Sequence, residues 1–346
     1  MEEKKKDPVK SFLTILISLA FAAFFLWLAL KDFDFKRFQN SMSQANYWWV
    51  AFAGVFGLLA YWFRAVRWNL LMEPMGYSIS NSNALWSISF GYLMNLTIPR
   101  SGEVARATAL YGVEKVPVDK SVGTIILERV VDLICMIAFL GLTLIFKFSS
   151  ILSFWKYIEK EFSKKLNNAL IYLYIFIAIS VVLVVVFILL RKKINDSPIY
   201  KKIRGVIYGV VEGIKSIFKL KQKGKFIIYT LAIWVSYYFA SYLVCFALPE
   251  TSNFTFADGF FILVVGTLGM IIPASGGIGA FNFAMKYGFM TLFIAMGKDA
   301  AAGGELGLTY SFITLPLQLF LMLIMGVISI VMLAKERNRI VANSEN

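Results

Sequence analysis

The sequence contains no histidine, and only two of its 346 residues are cysteines. Without an imidazole, the chain cannot perform histidine acid–base chemistry or bind zinc or haem through histidine. Cys135 and Cys245 lie far apart in apolar stretches, where a free cysteine behaves as a small buried hydrophobic residue. We therefore expect no metal site, no cofactor and no disulfide framework.

Acidic residues are also scarce: 21 Asp and Glu stand against 35 Lys and Arg, which gives a net charge of +14. Charged residues make up only 16% of the chain and hydrophobic residues 59%, whereas a soluble domain averages about 25% charged residues. The composition predicts an all-α, polytopic helical membrane protein. In such a protein, excess positive charge reflects loop topology and anionic lipid headgroups, so we expect no nucleic-acid partner.

Long apolar segments recur along the whole chain. They lie at 11–30, 45–63, 84–98, 121–147, 168–190, 226–248, 258–273, 277–296 and 305–334. The N-terminus, the loop 191–225 and the C-terminal tail are basic, which places all three in the cytoplasm of a multi-pass plasma- or inner-membrane protein. An even number of crossings must then precede the loop, so we expect the shortest early segment, 84–98, to be re-entrant.

The basic loop divides the chain into two membrane repeats. We expect the first repeat at 1–190, a cytoplasmic linker at 191–225, and the second repeat with the basic tail at 226–346. An apolar stripe over 199–220 predicts an amphipathic helix at the inner interface, with a solvated linker as the alternative. In the second repeat we expect three crossings and one irregular segment, which is either a short segment or a break in 305–334.

A short motif occurs in both halves of the sequence. Ile98–Glu103 (IPRSGE) is echoed by Ile272–Gly277 (IPASGG). Broken backbone at membrane depth is tolerated only where it is buried in protein or lines a cavity. Matching interruptions in two halves mark the binding site in many transporters. We therefore expect both turns at membrane depth, facing one another across a pseudo-two-fold axis in the membrane plane.

Ionisable residues lie within or beside the apolar segments. Each costs about 2.5–3.5 kcal/mol on insertion scales, so each is a candidate functional residue. Together with the two turns they form a predicted substrate-binding set, without a catalytic residue: Arg64, Arg67, Pro99, Arg100, Ser101, Gly102, Glu103, Arg106, Glu128, Arg129, Asp132, Pro273, Ser275, Gly276, Gly277, Gly279 and Asn282. Arginine binds a phosphodiester bidentately, and the N–H groups of a helix opened by glycines attract an anion.

Each of these residues also has a purely structural interpretation. Arg64 and Arg67 would then snorkel to the interface. Glu128, Arg129 and Asp132 would form an ion-pair network that fastens helices, and the glycines would permit tight turns and close packing. In either case buried charges must be paired. We therefore expect at least one of these arginines within salt-bridge distance of Glu103, Glu128 or Asp132.

The order of these motifs resembles a known family. The motifs are Arg64-x-x-Arg67-Trp68, Pro99-Arg100-Ser101-Gly102-Glu103-x-x-Arg106, Glu128-Arg129-x-x-Asp132 and Pro273-x-x-Gly276-Gly277-Ile278-Gly279. Over about residues 10–335 the chain is similar to the flippase-like membrane domain of lysylphosphatidylglycerol synthase/flippase proteins. The bifunctional members add a cytosolic aminoacyltransferase domain, which we do not expect here. Many relatives carry glutamate at the position of Asn282.

The resemblance and the motifs together predict a lipid translocase rather than an enzyme. Its partners would be membrane lipids, either phospholipids or polyprenyl-phosphate-linked lipids, anionic or phosphate-bearing, and the sequence also allows a homo-oligomer. One alternative is a polyprenyl-phosphate-dependent glycosyltransferase, indicated by Asp32-x-Asp34 after the first segment. A non-transporting membrane scaffold is another alternative, in which the buried charges only join helices.

Overall fold

The computed structural model describes residues 8–30, 33–98, 101–165, 220–271 and 277–344, and within them the chain forms helices but no strand. The helices are α1 (Pro8–Leu30), α2 (Phe35–Gln44), α3 (Tyr47–Met72), α4 (Asn81–Thr97), α5 (Gly102–Glu114), α6 (Val118–Lys165), α7 (Lys223–Tyr242), α8 (Phe256–Ile271), α9 (Ala280–Ala295) and α10 (Ala300–Ser344). Each predicted apolar segment within these ranges is helical. The segment at 168–190 and the amphipathic stripe up to residue 219 lie outside the described residues.

Four of the described helices are long and apolar enough to cross a membrane, namely α3, α6, α7 and α10. This confirms the all-α, polytopic membrane fold. By contrast, α4, α5, α8 and α9 have 17, 13, 16 and 16 residues. At about 1.5 Å per residue they span roughly 20–26 Å, less than the hydrocarbon core of about 30 Å. Their length supports two hairpins that enter the membrane without crossing it.

The described helices favour two crossings in the second half rather than the expected three. Only α7 and α10 among the described helices of that half are long enough to cross, and the short helices α8 and α9 lie between them. Two crossings also agree with the charge pattern, because a segment with both basic ends on one face of the membrane must cross an even number of times.

The last long helix of each half packs against both hairpins. In each half a long helix is followed by a short-helix hairpin and a second long helix: α3, α4–α5, α6 and then α7, α8–α9, α10. Helix α6 packs against α5 of its own hairpin and against α8 and α9 of the other, α10 packs against α9 of its own hairpin and against α4 and α5 of the other, and α3 packs along α7. Reciprocal packing of this kind is what two related repeats produce. The domain boundaries and the facing of the two turns stay predictions.

Small residues hold the first hairpin together. A Cβ atom on Gly91 would lie 2.6 Å from the carbonyl oxygen of Gly102 and 3.0 Å from Cβ of Arg106, so only glycine permits this approach of α5 to α4. The Gly102 N–H donates to Asn95 Oδ1 at 2.7 Å, and the Ser101 hydroxyl donates to the Met94 carbonyl at 3.0 Å. Ser101 and Gly102 therefore build the turn between the two helices.

In the second hairpin, glycines permit close contact with α1. Gly277 and Gly279 have φ angles of +75° and +81°, a region that favours glycine. A Cβ atom on Gly279 would clash with backbone atoms of Ala22 and Leu26, while one on Gly277 would clash with the Met270 side chain. Helix α1 and Met270 therefore cover the start of α9.

Helix α6 is bent where it meets the second hairpin. Lys147 has non-helical angles (φ −124°, ψ 17°) within this helix, and its Nζ lies 2.5 Å from Oδ1 of the buried Asp258. The other oxygen of Asp258 accepts hydrogen bonds from the Thr255 N–H at 2.7 Å and the Thr255 hydroxyl at 2.6 Å. One carboxylate therefore caps α8 and fixes the bend of α6 beside it.

We predict that Gly102→Ala lowers the thermal unfolding midpoint of the detergent-solubilised protein, because the new Cβ atom would clash with the Gly91 carbonyl and Asn95. Overpacking of this kind costs about 1–3 kcal/mol. Gly112→Ala is the matched control on the same helix, since no atom lies within 4 Å of the position that its new Cβ would take. We expect Gly112→Ala to be neutral or slightly stabilising. Equal midpoints for the two variants would contradict the close contact in the first hairpin.

Candidate functional site

Three helices of the first half bring the predicted charged residues together. Arg64 and Arg67 lie three residues apart on α3, and Glu128 and Asp132 lie four apart on α6. Since residues at these spacings share one helix face, each pair points towards one neighbour. Arg106 comes from α5, which packs against α6. The three faces meet within the protein.

Asp132 and Glu128 bridge the arginines in a continuous chain. Asp132 Oδ2 accepts from Arg64 Nη2 at 2.8 Å, and Oδ1 accepts from Arg67 Nη2 at 3.0 Å. Glu128 Oε2 accepts from Arg106 Nη1 at 2.6 Å, and Oε1 lies 3.7 Å from Arg67 Nη2. The ion pairs therefore form a continuous series, Arg64–Asp132–Arg67–Glu128–Arg106, in which the side chains of Arg67 and Glu128 are fully buried.

A further, more exposed ion pair extends this series of ion pairs. Arg129 Nε lies 3.3 Å from Glu103 Oε1, with the two side chains 45% and 53% exposed, and Arg129 Nη1 lies 3.7 Å from Asp132 Oδ2. The predicted pairing of arginines with these carboxylates is confirmed. We call the seven residues Arg64, Arg67, Glu103, Arg106, Glu128, Arg129 and Asp132 the ion-pair network.

Aromatic side chains enclose the buried part of the network. The guanidinium of Arg106 lies 3.6 Å from the centroid of the Trp68 ring, a cation–π contact. The Trp68 indole N–H donates to Thr124 Oγ1 at 2.9 Å, which fixes the ring. Arg64 and Arg67 are only 5% and 0% exposed, so the snorkelling interpretation of these two arginines is wrong.

The network carries one positive charge more than it can pair internally. The network contains four arginines and three carboxylates, so its net charge is +1. The buried members alone have the same net charge, because three arginines (Arg64, Arg67 and Arg106) accompany two carboxylates (Glu128 and Asp132). Arg64 Nη1 and Arg106 Nη2 have no hydrogen-bond partner among the described residues. A buried charge without compensation costs several kcal/mol. An anion bound beside the network would offset that cost.

A cavity of about 650 Å³ lies beside the network, between helices of both halves. One part of its wall is polar and contains Tyr61, Arg64, Tyr92, Arg129, Asp132 and Tyr237. Most of the remaining wall is apolar, with leucine, isoleucine and methionine from α6, α8 and α10. Leu133 and Ile271 border the cavity and are 50% and 59% exposed, so the apolar part reaches the outer surface of the helices.

Other predicted site residues lie behind or away from this cavity. Arg67, Arg106 and Glu128 form the inner layer of the network and do not line the cavity. Asn282 opens α9: its Oδ1 accepts from the Gly279 N–H at 3.0 Å, and its Nδ2 donates to Ser311 Oγ at 2.7 Å. Both ends of the Asn282 amide are thus engaged within the fold.

The second turn supplies little open surface for an anion in its described part. Gly277 and Gly279 are buried under Met270 and α1, which agrees with the close-packing interpretation of these glycines. Five members of the predicted set, Pro99, Arg100, Pro273, Ser275 and Gly276, lie outside the described residues. Their role in binding stays a prediction.

Sequence reasoning missed the aromatic side of the site. Tyr61, Tyr92, Tyr237 and Trp234 all line the cavity. The Tyr61 and Tyr92 rings meet edge to face at a centroid distance of 4.9 Å, and Arg64 Nε donates to Tyr237 Oη at 2.5 Å. The available signal was spacing: Tyr61 precedes Arg64 by three residues, and Trp234 precedes Tyr237 by three, which places each pair on one helix face.

The fold and the site define a helical multi-pass membrane protein that encloses a charged cavity between two halves. The family model described as the lysylphosphatidylglycerol synthase TM region matches residues 15–330. The chain therefore belongs to this family, which confirms the resemblance found in the sequence. No curated protein and no solved structure matches the chain significantly.

We predict that Arg106→Met destabilises the protein by about 3–5 kcal/mol, because it leaves the buried Glu128 without its closest partner. The double variant Arg106→Met/Glu128→Gln is expected to recover part of the loss, since the uncompensated carboxylate is then gone. Arg129→Met is the matched control: its side chain is half exposed, and such ion pairs contribute only about 0–1 kcal/mol. Chemical denaturation in detergent measures the three variants. Equal losses for Arg106→Met and Arg129→Met would contradict the layered structure of the network.

Proposed function

We propose that this protein is a lipid translocase that moves a phospholipid or a polyprenyl-phosphate-linked lipid between membrane leaflets. The observation that carries the proposal is the cavity, whose wall combines surplus positive charge at the network with an apolar part that reaches the surface. A lipid has the matching composition, since it joins a charged headgroup to apolar chains.

A lipid phosphate would supply the negative charge that the network lacks. Arg64 and Arg129 both lie on the cavity wall, and a guanidinium binds a phosphate through two parallel hydrogen bonds. Arg64 is already oriented by Tyr237 and Asp132, so it loses little conformational entropy on binding. Arg100, at the first turn, stays a predicted additional phosphate ligand.

The apolar part of the wall would let the acyl chains remain in the bilayer. Leu133 on α6 and Ile271 on α8 border the cavity and face outwards, and these two helices come from different halves. Movement of one half against the other around a central site is the usual basis of alternating access. The packing of α6 and α10 against both hairpins provides the interface for such a movement.

One of the two aspartates that indicated a glycosyltransferase has a structural role. Asp34 caps α2: its Oδ1 accepts from the Lys36 N–H at 2.9 Å and the Arg37 N–H at 3.1 Å. A capping aspartate of this type stabilises a helix start. Asp32 lies outside the described residues. We therefore keep the translocase as the proposal, in a plasma or inner membrane with both termini in the cytoplasm.

We predict that Arg129→Ala and Arg64→Lys each slow lipid exchange between liposome leaflets by about tenfold, the loss of one hydrogen bond to a charged group. Lysine at position 64 keeps the charge but loses the bidentate fork. Dithionite bleaching of fluorescent lipids in proteoliposomes measures the rate. Arg339→Ala is the control, because this arginine is 70% exposed and pairs with Glu336 on the tail. Wild-type rates in stably folded Arg129→Ala and Arg64→Lys would favour the scaffold interpretation.

A further inference from the structure

Helix α10 contains a proline in its interior. Pro316 lies within this helix, and the chain is helical on both sides of it. Proline has no N–H group, so the Phe312 carbonyl one turn earlier loses its helical hydrogen bond, and the proline ring crowds the same turn. Sharp bends of helices occur mostly at such positions. Pro316 therefore divides α10 into a first arm, 300–315, and a second arm, 317–344.

The first arm is fastened to the second hairpin. A Cβ atom on Gly307 would clash with the Met285 carbonyl oxygen of α9, so the two backbones touch where the glycine lies. The Asn282 side chain on α9 donates to Ser311 Oγ at 2.7 Å. Backbone contact and a buried hydrogen bond leave little freedom between these elements, so the first arm moves together with α9.

The second arm is fastened to the first half. A Cβ atom on Gly326 would lie 2.5 Å from Cβ of Leu93 on α4, and one on Gly57 of α3 would lie 2.9 Å from Cδ1 of Leu321. Each contact places a leucine against a glycine of the facing helix. The partners of α10 therefore change from the second hairpin to α3 and α4 on the two sides of Pro316.

The cavity lies beside the same turn. Thr314, Leu317 and Gln318 line the cavity, whereas Pro316 is exposed and does not line it. The Thr314 hydroxyl donates to the Tyr310 carbonyl at 2.8 Å, and a hydroxyl that bonds back to the preceding turn often bends a helix. A change in the bend at Pro316 would therefore change the width of the cavity.

We propose that Pro316 is a hinge about which the two hairpins move relative to one another. A hinge is formed by the few residues that absorb a change of backbone angles between two packed bodies. Pro316 stands between an arm that is held by α9 and an arm that is held by α3 and α4. The proposal rests on the proposed translocase function, for which the hinge supplies the movement that opens and closes the cavity.

Two substitutions of the proline test the hinge through lipid exchange in proteoliposomes. Pro316→Ala restores the hydrogen bond to the Phe312 carbonyl and favours one straight helix, so we expect exchange to slow about tenfold. Pro316→Gly removes the same ring but leaves a weak point in the helix, so exchange should slow only about twofold to threefold. Phe320→Ala is the matched control, because Phe320 is 57% exposed and does not line the cavity. Wild-type exchange in Pro316→Ala, or slower exchange in Pro316→Gly than in Pro316→Ala, would overturn the proposal.

Distances between spin labels measure the movement separately from transport. The labels are placed at Val104 on α5 and Leu268 on α8, which are 54% and 45% exposed, in a chain whose two cysteines are replaced by alanine. We expect two distance populations in the otherwise unchanged chain and one in Pro316→Ala. Loss of one population in Pro316→Ala, with no lipid exchange by the wild-type protein, would keep the hinge and reject the translocase. Unchanged distances in Pro316→Ala, with lipid exchange at the wild-type rate, would reject the hinge and keep the translocase.

Discussion

The cost of removing charged side chains from water governs this structure. Arg67 and Glu128 have no exposed side-chain surface, and Arg64 and Arg106 have almost none. Such groups are tolerated only when each finds an opposite charge at hydrogen-bonding distance. This requirement fixes the rotation of α3, α5 and α6 about their axes, because only one rotation of each helix directs its charged face to the point where the three faces meet. The position of the cavity beside them follows from that arrangement.

The glycines of the first hairpin serve the same requirement. Arg106 extends from α5 to Glu128 on α6, and α5 itself lies close to α4, where Gly91 meets Gly102 without side chains between them. A Cβ on Gly91 would also press against Cβ of Arg106, so the small residue makes room for the arginine itself. The turn motif and the charged motif of the sequence are thus structurally linked, because the glycines of the turn make room for the arginine. In the second hairpin Gly279 faces α1 and Gly277 faces Met270, and no arginine is placed there by the described residues.

The sequence predicts the individual helices and the charged residues, but not how the helices pack against one another. Apolar segments and their spacing predicted the helices, and the cost of burial predicted that arginines and carboxylates would pair. Helical spacing places Arg64 and Arg67 on one face, yet it says nothing about which neighbour that face meets. The contact of Arg64 with Tyr237 joins residues from different halves, and only the packing of α3 along α7 creates it. For the same reason the sequence grouped Arg106 with Arg64 as ligands, whereas Arg106 lies behind the cavity and Arg64 lies on its wall.

The surplus charge favours the binding interpretation of the network over the purely structural one. A network that only joins helices is most stable when its charges balance, because every unpaired charge keeps its full desolvation penalty. This network retains one arginine charge more than its carboxylates can pair, and one of its buried members, Arg64, belongs to the wall of a cavity of about 650 Å³. The surplus charge therefore costs stability when no anion is bound. In the proposed translocase, a lipid phosphate in the cavity would offset that cost.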